Sequence, residues 1–338
     1  MADGLAVEED SNLRYSYESP RFKVLVTGGA GYIGSTLVPM LLSEGYAVVI
    51  YDLFRWGMQP LLNSNLDARH LQIINGDILD DITLESVVKS SNAVIHLAGI
   101  VSAPAFNRYP EIAKEVNERG TKILVDSLKP DQPIIFASVE NVYGRSALNL
   151  KGPCTEDEEC DPLSPFAATF VESEKLVLKS NGVVLRIPSA FGISPRMRLD
   201  LLVNNLVFQA CTKGHIDLYQ ADFKRNFIHV QDLAKCHLFT LNNIDKMRGK
   251  AYNVGHESLG YSKRQICEII KDQLPNIRIS EPKDEAYKDA DNRNFETSFE
   301  RIKDVGFTVT KSIHDGVTEL LKIVPHLSEA EIKKCQAL

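Results

Sequence analysis

The chain has 338 residues, 44% hydrophobic and 25% charged, enough to bury a large core and to hold one large unit plus a smaller one. A net charge of −7, with no Lys/Arg cluster on a helical pattern, argues against a nucleic-acid or anionic-membrane partner, and no apolar run reaches the length of a membrane span. The six cysteines form no C-x-x-C pair, so they read as free thiols and not as a metal site or disulfide framework; with an acidic start that does not resemble a signal peptide, the sequence predicts a cytoplasmic protein.

Residues 1–20 are polar and aperiodic and are expected to be a flexible tail. Phe22 to Thr27 is a short apolar, β-branched run, followed by Gly28-Gly29-Ala30-Gly31-Tyr32-Ile33-Gly34 and a periodic stretch through Leu37, Val38, Leu41 and Leu42. That order predicts strand, glycine turn and helix. The glycines let the chain turn sharply, bring backbone close to a pyrophosphate and pack the helix tightly, with its N-terminal N–H groups facing the anion. A second strand, Ala47 to Tyr51, ends in Asp52, at the distance where a carboxylate holds an adenosine ribose diol. A carboxylate there repels a 2′-phosphate and favours NAD over NADP, although Arg55 blunts the repulsion.

Further strands are predicted at Leu71 to Asn75, Val94 to Leu97, Ile134 to Ala137 and Val183 to Ile187, separated by helical patterns, which implies a Rossmann-type doubly wound parallel α/β sheet. Lys151 to Pro165 reads as a surface loop leading into a helix at Phe166 to Lys179. His96 and His229, each in an apolar strand motif, read as structural residues, and Asp232 as the N-cap of the helix after it. The expected division is a dinucleotide domain over 21–185, a smaller α/β lobe over 186–325 partly interleaved with it, and a C-terminal tail over 326–338.

Thr27 to Gly34, Gly76-Asp77-Ile78, His96-Leu97-Ala98-Gly99, Asn117 with Gly120-Thr121, Val142-Tyr143-Gly144 and Arg225 to Ala234 together resemble the extended short-chain dehydrogenase/reductase family, in its NAD-dependent nucleotide-sugar epimerase and dehydratase group. The resemblance spans about residues 21–325. It implies cofactor contacts at Gly28, Gly31, Tyr32, Ile33, Gly34, Asp52, Leu97, Ala98 and Gly99, and at Asp77 and Ile78 unless these form a plain strand-end turn. It also implies a nucleotide-diphosphate sugar held by Arg225, by Arg293 and by the amide of Asn204 or Asn205. Planar guanidinium groups suit bidentate phosphate contacts. No metal is implied, and the family suggests a homodimer through helices near Glu111 to Leu128 and Phe166 to Lys179.

The departure lies in proton transfer. The family uses a Ser or Thr after the fifth strand and a Tyr with a Lys four residues later, because a phenolic oxygen needs a nearby ammonium to act as a base near neutral pH. The resemblance aligns Val139, Phe166 and Phe170 with those positions, and no Tyr in the chain has a Lys four residues on. Glu140 is the leading replacement base, with an ordinary helix-start carboxylate as its other reading; Ser102, Ser138, Thr169 and Tyr143 are further candidates. Asn141 stands where related dehydratases have a companion acid. Two functions remain open: an NAD-dependent nucleotide-sugar enzyme with altered acid/base groups, or a catalytically silent binder of NAD and a nucleotide sugar.

Overall fold

The computed structural model describes residues 22–62, 66, 68–282 and 291–335; the tail expected at residues 1–20 lies outside them. Strands β1 (Lys23–Thr27), β2 (Ala47–Asp52), β3 (Leu71–Asn75), β4 (Ala93–His96), β5 (Ile134–Val139) and β6 (Val183–Ile187) follow the apolar runs closely. The later strands are β7 (Ser189–Phe191), β8 (His215–Asp217), β9 (Lys224–His229), β10 (Ala251–Asn253), β11 (Gly260–Ser262) and β12 (Arg278–Ser280). Among the described residues, seven strands form one parallel sheet in the order β10-β6-β5-β4-β1-β2-β3. The strand order reverses between β1 and β4, which opens a crevice at their carboxyl ends.

Successive side chains in β1 point to opposite faces, so Val24 and Val26 enter one core and Leu25 the other. The first core is closed by α1 (Gly34–Ser43), through Leu37 and Leu41, and by the helix Val230–Asn242, through Leu233 and Leu241. The second is closed by Leu124, Val177 and the phenylalanines of the helix Pro165–Lys179, which starts with Pro165 after a Ser164 N-cap that accepts from the Ala167 N–H at 3.1 Å. A third core, around Val203, Leu206, Phe227, Ile266 and Leu320, belongs to the smaller lobe with its three-stranded sheet β11-β9-β7 and the pair β12-β8. No helix among the described residues is long and apolar enough to cross a membrane.

Three expectations need correction. The segment 151–165 is not simply a surface loop: Cys154 is buried and bridges to Thr297, and the Glu156 carboxylate accepts from the Asn253 N–H at 2.8 Å. A backbone donor on β10 is thereby satisfied from outside the sheet. Asp232 does not cap its helix, because His229 holds that position and accepts from the Gln231 N–H; the buried Asp232 carboxylate instead accepts from the N–H groups of Thr310 and Lys311, both at 2.7 Å. The C-terminal stretch is not all tail. A helix, Glu329–Lys334, follows the Ser328 capping box, and the Cys335 carbonyl accepts from the Leu199 N–H at 2.8 Å.

Candidate active site

The glycine turn is built for close approach. A Cβ on Gly28, whose φ is +73°, would lie 2.8 Å from the Ala98 nitrogen, and one on Gly34 would lie 2.4 Å from the Gly28 carbonyl oxygen. Gly31 is also close-packed, at 3.1 Å from that oxygen, and Ile33 leads directly into α1. Asp52 ends β2, where its two carboxylate oxygens accept from the Ala30 N–H at 2.9 Å and the Phe54 N–H at 2.8 Å. Burial raises its pKa while those two bonds oppose the rise. Carboxylate oxygens have further lone pairs, so the group still has capacity for a diol. Tyr32 is turned inward and donates its Oη to the Gly192 carbonyl at 2.8 Å, which joins the turn to the smaller lobe.

Leu97, Ala98 and Gly99 follow β4 against this turn, and the Ala98 N–H donates to Thr27 Oγ1 at 3.3 Å. Beneath them lies His96, with Nδ1 2.8 Å from Thr27 Oγ1 and Nε2 3.0 Å from Thr121 Oγ1. Thr121 donates its proton to the Asn117 carbonyl, so it accepts from His96 Nε2–H, and Nδ1 accepts from Thr27. Burial drives this imidazole down to about 4 and fixes it neutral, in keeping with a structural role. After β3, Asp77 accepts from the Leu79 N–H at 2.9 Å and its carbonyl accepts from Tyr51 Oη, while Ile78 packs on Gly120. That geometry is a strand-end turn.

Phe166 and Phe170, the residues that the resemblance aligns with Tyr and Lys, form an apolar wall. Their rings meet edge to face at 5.2 Å; Phe106 meets Phe166 at 6.2 Å, and Phe136 stacks on Phe170 at 6.1 Å. Both are buried, as the i,i+4 spacing on one helix face requires. Thr169, between them, faces away: its hydroxyl donates to the Phe166 carbonyl and accepts from Asn117 Nδ2 at 3.1 Å. A π-helical turn, Glu115–Arg119, aims Asn117, whose amide also pairs with both backbone groups of Ile100. Ser102 is a helix N-cap, accepting from the Ala105 N–H at 3.3 Å.

The end of β5 carries the other candidates. Ser138 donates to Glu174, whose carboxylate pairs with Arg186 at 2.8 Å; Arg186 in turn donates to Tyr143 Oη at 2.9 Å and lies 4.7 Å over its ring. Tyr143 donates onward to Asn253 at 2.6 Å. Burial pushes the Tyr143 phenol well above its ordinary range, with Arg186 pulling the other way, so Ser138 and Tyr143 belong to a buried structural network. The sequence signal for it was an arginine inside an apolar strand. Val139 closes the strand half-buried, and Glu140 follows in a short 3₁₀ turn, buried. Next to it, Asn141 donates to the carboxylate of buried Asp291, a contact that sequence reading missed because 150 residues separate the two.

Arg225, on β9, is 5% exposed and lines a cleft of about 130 Å³ with Phe295, in which Lys224 adds a second cation and Glu257 and Glu296 two carboxylates. Arg293 is half-buried on the extended segment that supplies Phe295. The asparagines differ from expectation. Asn204 is buried and tied to Gly192 and Arg198 backbone, and Asn205 is held by the Leu199 carbonyl and Gln209, so both serve the fold of the smaller lobe. Among the described residues no cluster of His, Cys, Asp or Glu could hold a metal ion.

Residues 24–255 match the NAD dependent epimerase/dehydratase family. The chain belongs to that family. Among curated relatives, UDP-glucose 4-epimerase 3 of Oryza sativa subsp. japonica is 31% identical over 69% of this chain and 71% of its own. UDP-glucose 4-epimerase of Dictyostelium discoideum is 27% identical over 87% of this chain and 93% of its own. The fold is shared with dTDP-glucose 4,6-dehydratase of Streptomyces venezuelae, at a TM-score of 0.77 and 22% identity, covering 89% of this chain and 96% of that one. The cofactor of the NAD dependent epimerase/dehydratase family fits this chain, since Gly28, Gly31 and Gly34 pack backbone against backbone where a Cβ would clash, as the tight turn into α1 requires, and Asp52 stands at the end of the neighbouring strand with its carboxylate held beside that turn.

Proposed function

We propose that the protein is an NAD-dependent nucleotide-sugar-modifying enzyme, of epimerase, dehydratase or dehydrogenase type, working at a sugar carbon with altered acid/base groups. The observation that carries this reading is the pairing of a tight glycine turn at the end of β1 with the Asp52 carboxylate at the end of β2, together with Arg225 lining a cleft in the smaller lobe. When bound, NAD supplies a hydride acceptor and donor. The glycine turn and the first N–H groups of α1 face the cofactor pyrophosphate, and Asp52 faces the ribose diol. Arg225 and Arg293 anchor the sugar diphosphate. Glu140, at the carboxyl end of β5, accepts a hydroxyl proton and returns one, while the Phe166–Phe170 wall excludes water from the reacting carbon.

The saturation of Ser138, Tyr143 and Thr169 by internal bonds argues against those three as proton carriers, and it supports a second reading: a binder of NAD and a nucleotide sugar that turns nothing over. Purified protein incubated with NAD and UDP-, GDP-, CDP- and dTDP-sugars in deuterated water separates the two by mass spectrometry. Gain of deuterium, loss of water or loss of two hydrogens supports the enzyme; an unchanged panel with both ligands bound supports the silent binder. Glu140→Gln is expected to abolish turnover, and full native turnover in that variant sinks the replacement-base role. The resemblance also supports a cytoplasmic homodimer. The exposed Ile112 and Tyr109 give its helix face apolar surface, so light scattering is expected to find two copies and Ile112→Glu one.

A further inference from the structure

The segment that follows β7 reaches across to the glycine turn. Ser194 donates to the Tyr32 carbonyl at 2.6 Å and lies 3.1 Å from Ser35 Oγ, and the Arg196 N–H donates to Ser35 Oγ at 3.2 Å. This segment therefore hugs the first turn of α1, beside the glycine cradle. From there the Arg196 side chain extends to Trp56, with the guanidinium carbon 4.5 Å over the ring. Trp56 sits in the loop that follows Asp52, a loop shaped by the Asp52 bond to Phe54, by Phe54 at a φ of 48°, and by the Gly57 N–H bonding back to the Phe54 carbonyl. One contact thus links the two elements that flank the adenosine half of the dinucleotide site, and each partner comes from a different lobe.

We propose that Arg196 and Trp56 form a clasp over the adenosine side of the cofactor site, so that NAD enters or leaves only when the stacked pair opens. The inference rests on the assignment of the glycine turn and Asp52 to NAD. A planar guanidinium suits the task because it stacks flat on an indole and keeps its charge near an anionic ligand. Arg196 is nearly fully buried, its guanidinium also donates to the Met197 carbonyl, and burial together with neighbouring Arg198 lowers its pKa to about 10. The clasp predicts slow cofactor exchange without any covalent bond.

Trp56 is the chain's one tryptophan, which makes its emission a direct reporter. Full-length protein would be loaded with radiolabelled NAD and chased with unlabelled NAD, with the release rate read by filtration and Trp56 emission read on titration with NAD. Release is expected to be about tenfold faster in Trp56→Ala and in Arg196→Ala, and close to wild type in Trp56→Phe, which keeps a ring face. Trp56 is a half-buried loop residue, so its variants decide the matter even where Arg196→Ala fails to fold. Bound NAD with an unchanged release rate in Trp56→Ala, or with no change in Trp56 emission, overturns the clasp alone. Absence of NAD binding by the wild type overturns the cofactor assignment and the clasp with it.

Discussion

Glu174 and Arg186 face each other with side chains only 4% and 6% exposed, and their pairing satisfies Ser138 and Tyr143 as well. Removing one charge strands the other in the interior, so Glu174→Ala is expected to lose about 3–5 kcal/mol of stability in urea unfolding, whereas a paired apolar replacement would cost much less. The buried imidazoles make a pH prediction. His96 and His237 are both held down to about 4, chiefly by burial, against about 6.5 when unfolded. The unfolded chain therefore binds more protons between those values; the stability from the neutral rings is complete above about pH 6.5 and drains away toward about pH 4, by roughly 3 kcal/mol per ring. His96→Gln is expected to flatten part of that slope in melts taken across the window. The sequence shows the phenylalanine substitutions because they depend only on a local spacing of four. It hides the fate of Ser138, Tyr143, Asn204 and Asn205, since their partners lie in segments far away along the chain or on backbone whose path only the fold sets.

The glycine turn after β1 and the start of α1 are packed backbone against backbone. Gly34→Ala would drive a methyl group into the Gly28 carbonyl, and the helix must then shift, at about 1–3 kcal/mol. The shift would move the first N–H groups of α1 away from the pyrophosphate proposed to bind there, so the expected result is a lower melting temperature with a much larger loss of NAD binding by calorimetry. Elements of this kind read well from sequence: six parallel strands and the helix starting at Pro165 follow from β-branched runs, a glycine turn and a Ser-Pro start. β10 did not, because three residues, Ala251 to Asn253, are too few to show a period; β6 and the Glu156 carboxylate select them. The Asp232 cap failed for a related reason. A carboxylate at a helix start suits that terminus, but here the carboxylate accepts from two N–H donors of another segment, Thr310 and Lys311, instead.

Across the whole molecule, that same Asp232 ties the helix behind the cofactor sheet to the segment that starts the helix Ile313–Ile323 of the smaller lobe. Asp232→Ala removes the acceptor of three part-buried donors, the Thr310 N–H and hydroxyl and the Lys311 N–H, and is expected to cost about 1–3 kcal/mol, seen as an earlier thermal transition, while Asp232→Asn recovers part of the loss. A cut near residue 185 is expected not to yield two independent pieces, because β10 lies past that point yet pairs with β6 and completes the large sheet. The order of synthesis gives this arrangement a further meaning. As the chain leaves the ribosome, β1 to β6 can assemble in sequence, but β6 remains an open edge, able to pair with any other extended chain, until residue 253 has emerged. The nascent chain is therefore most vulnerable to misassociation during the stretch between Ile187 and Asn253, and a ribosome stalled there would hold a nucleotide-binding half whose exposed flank invites rescue by a chaperone.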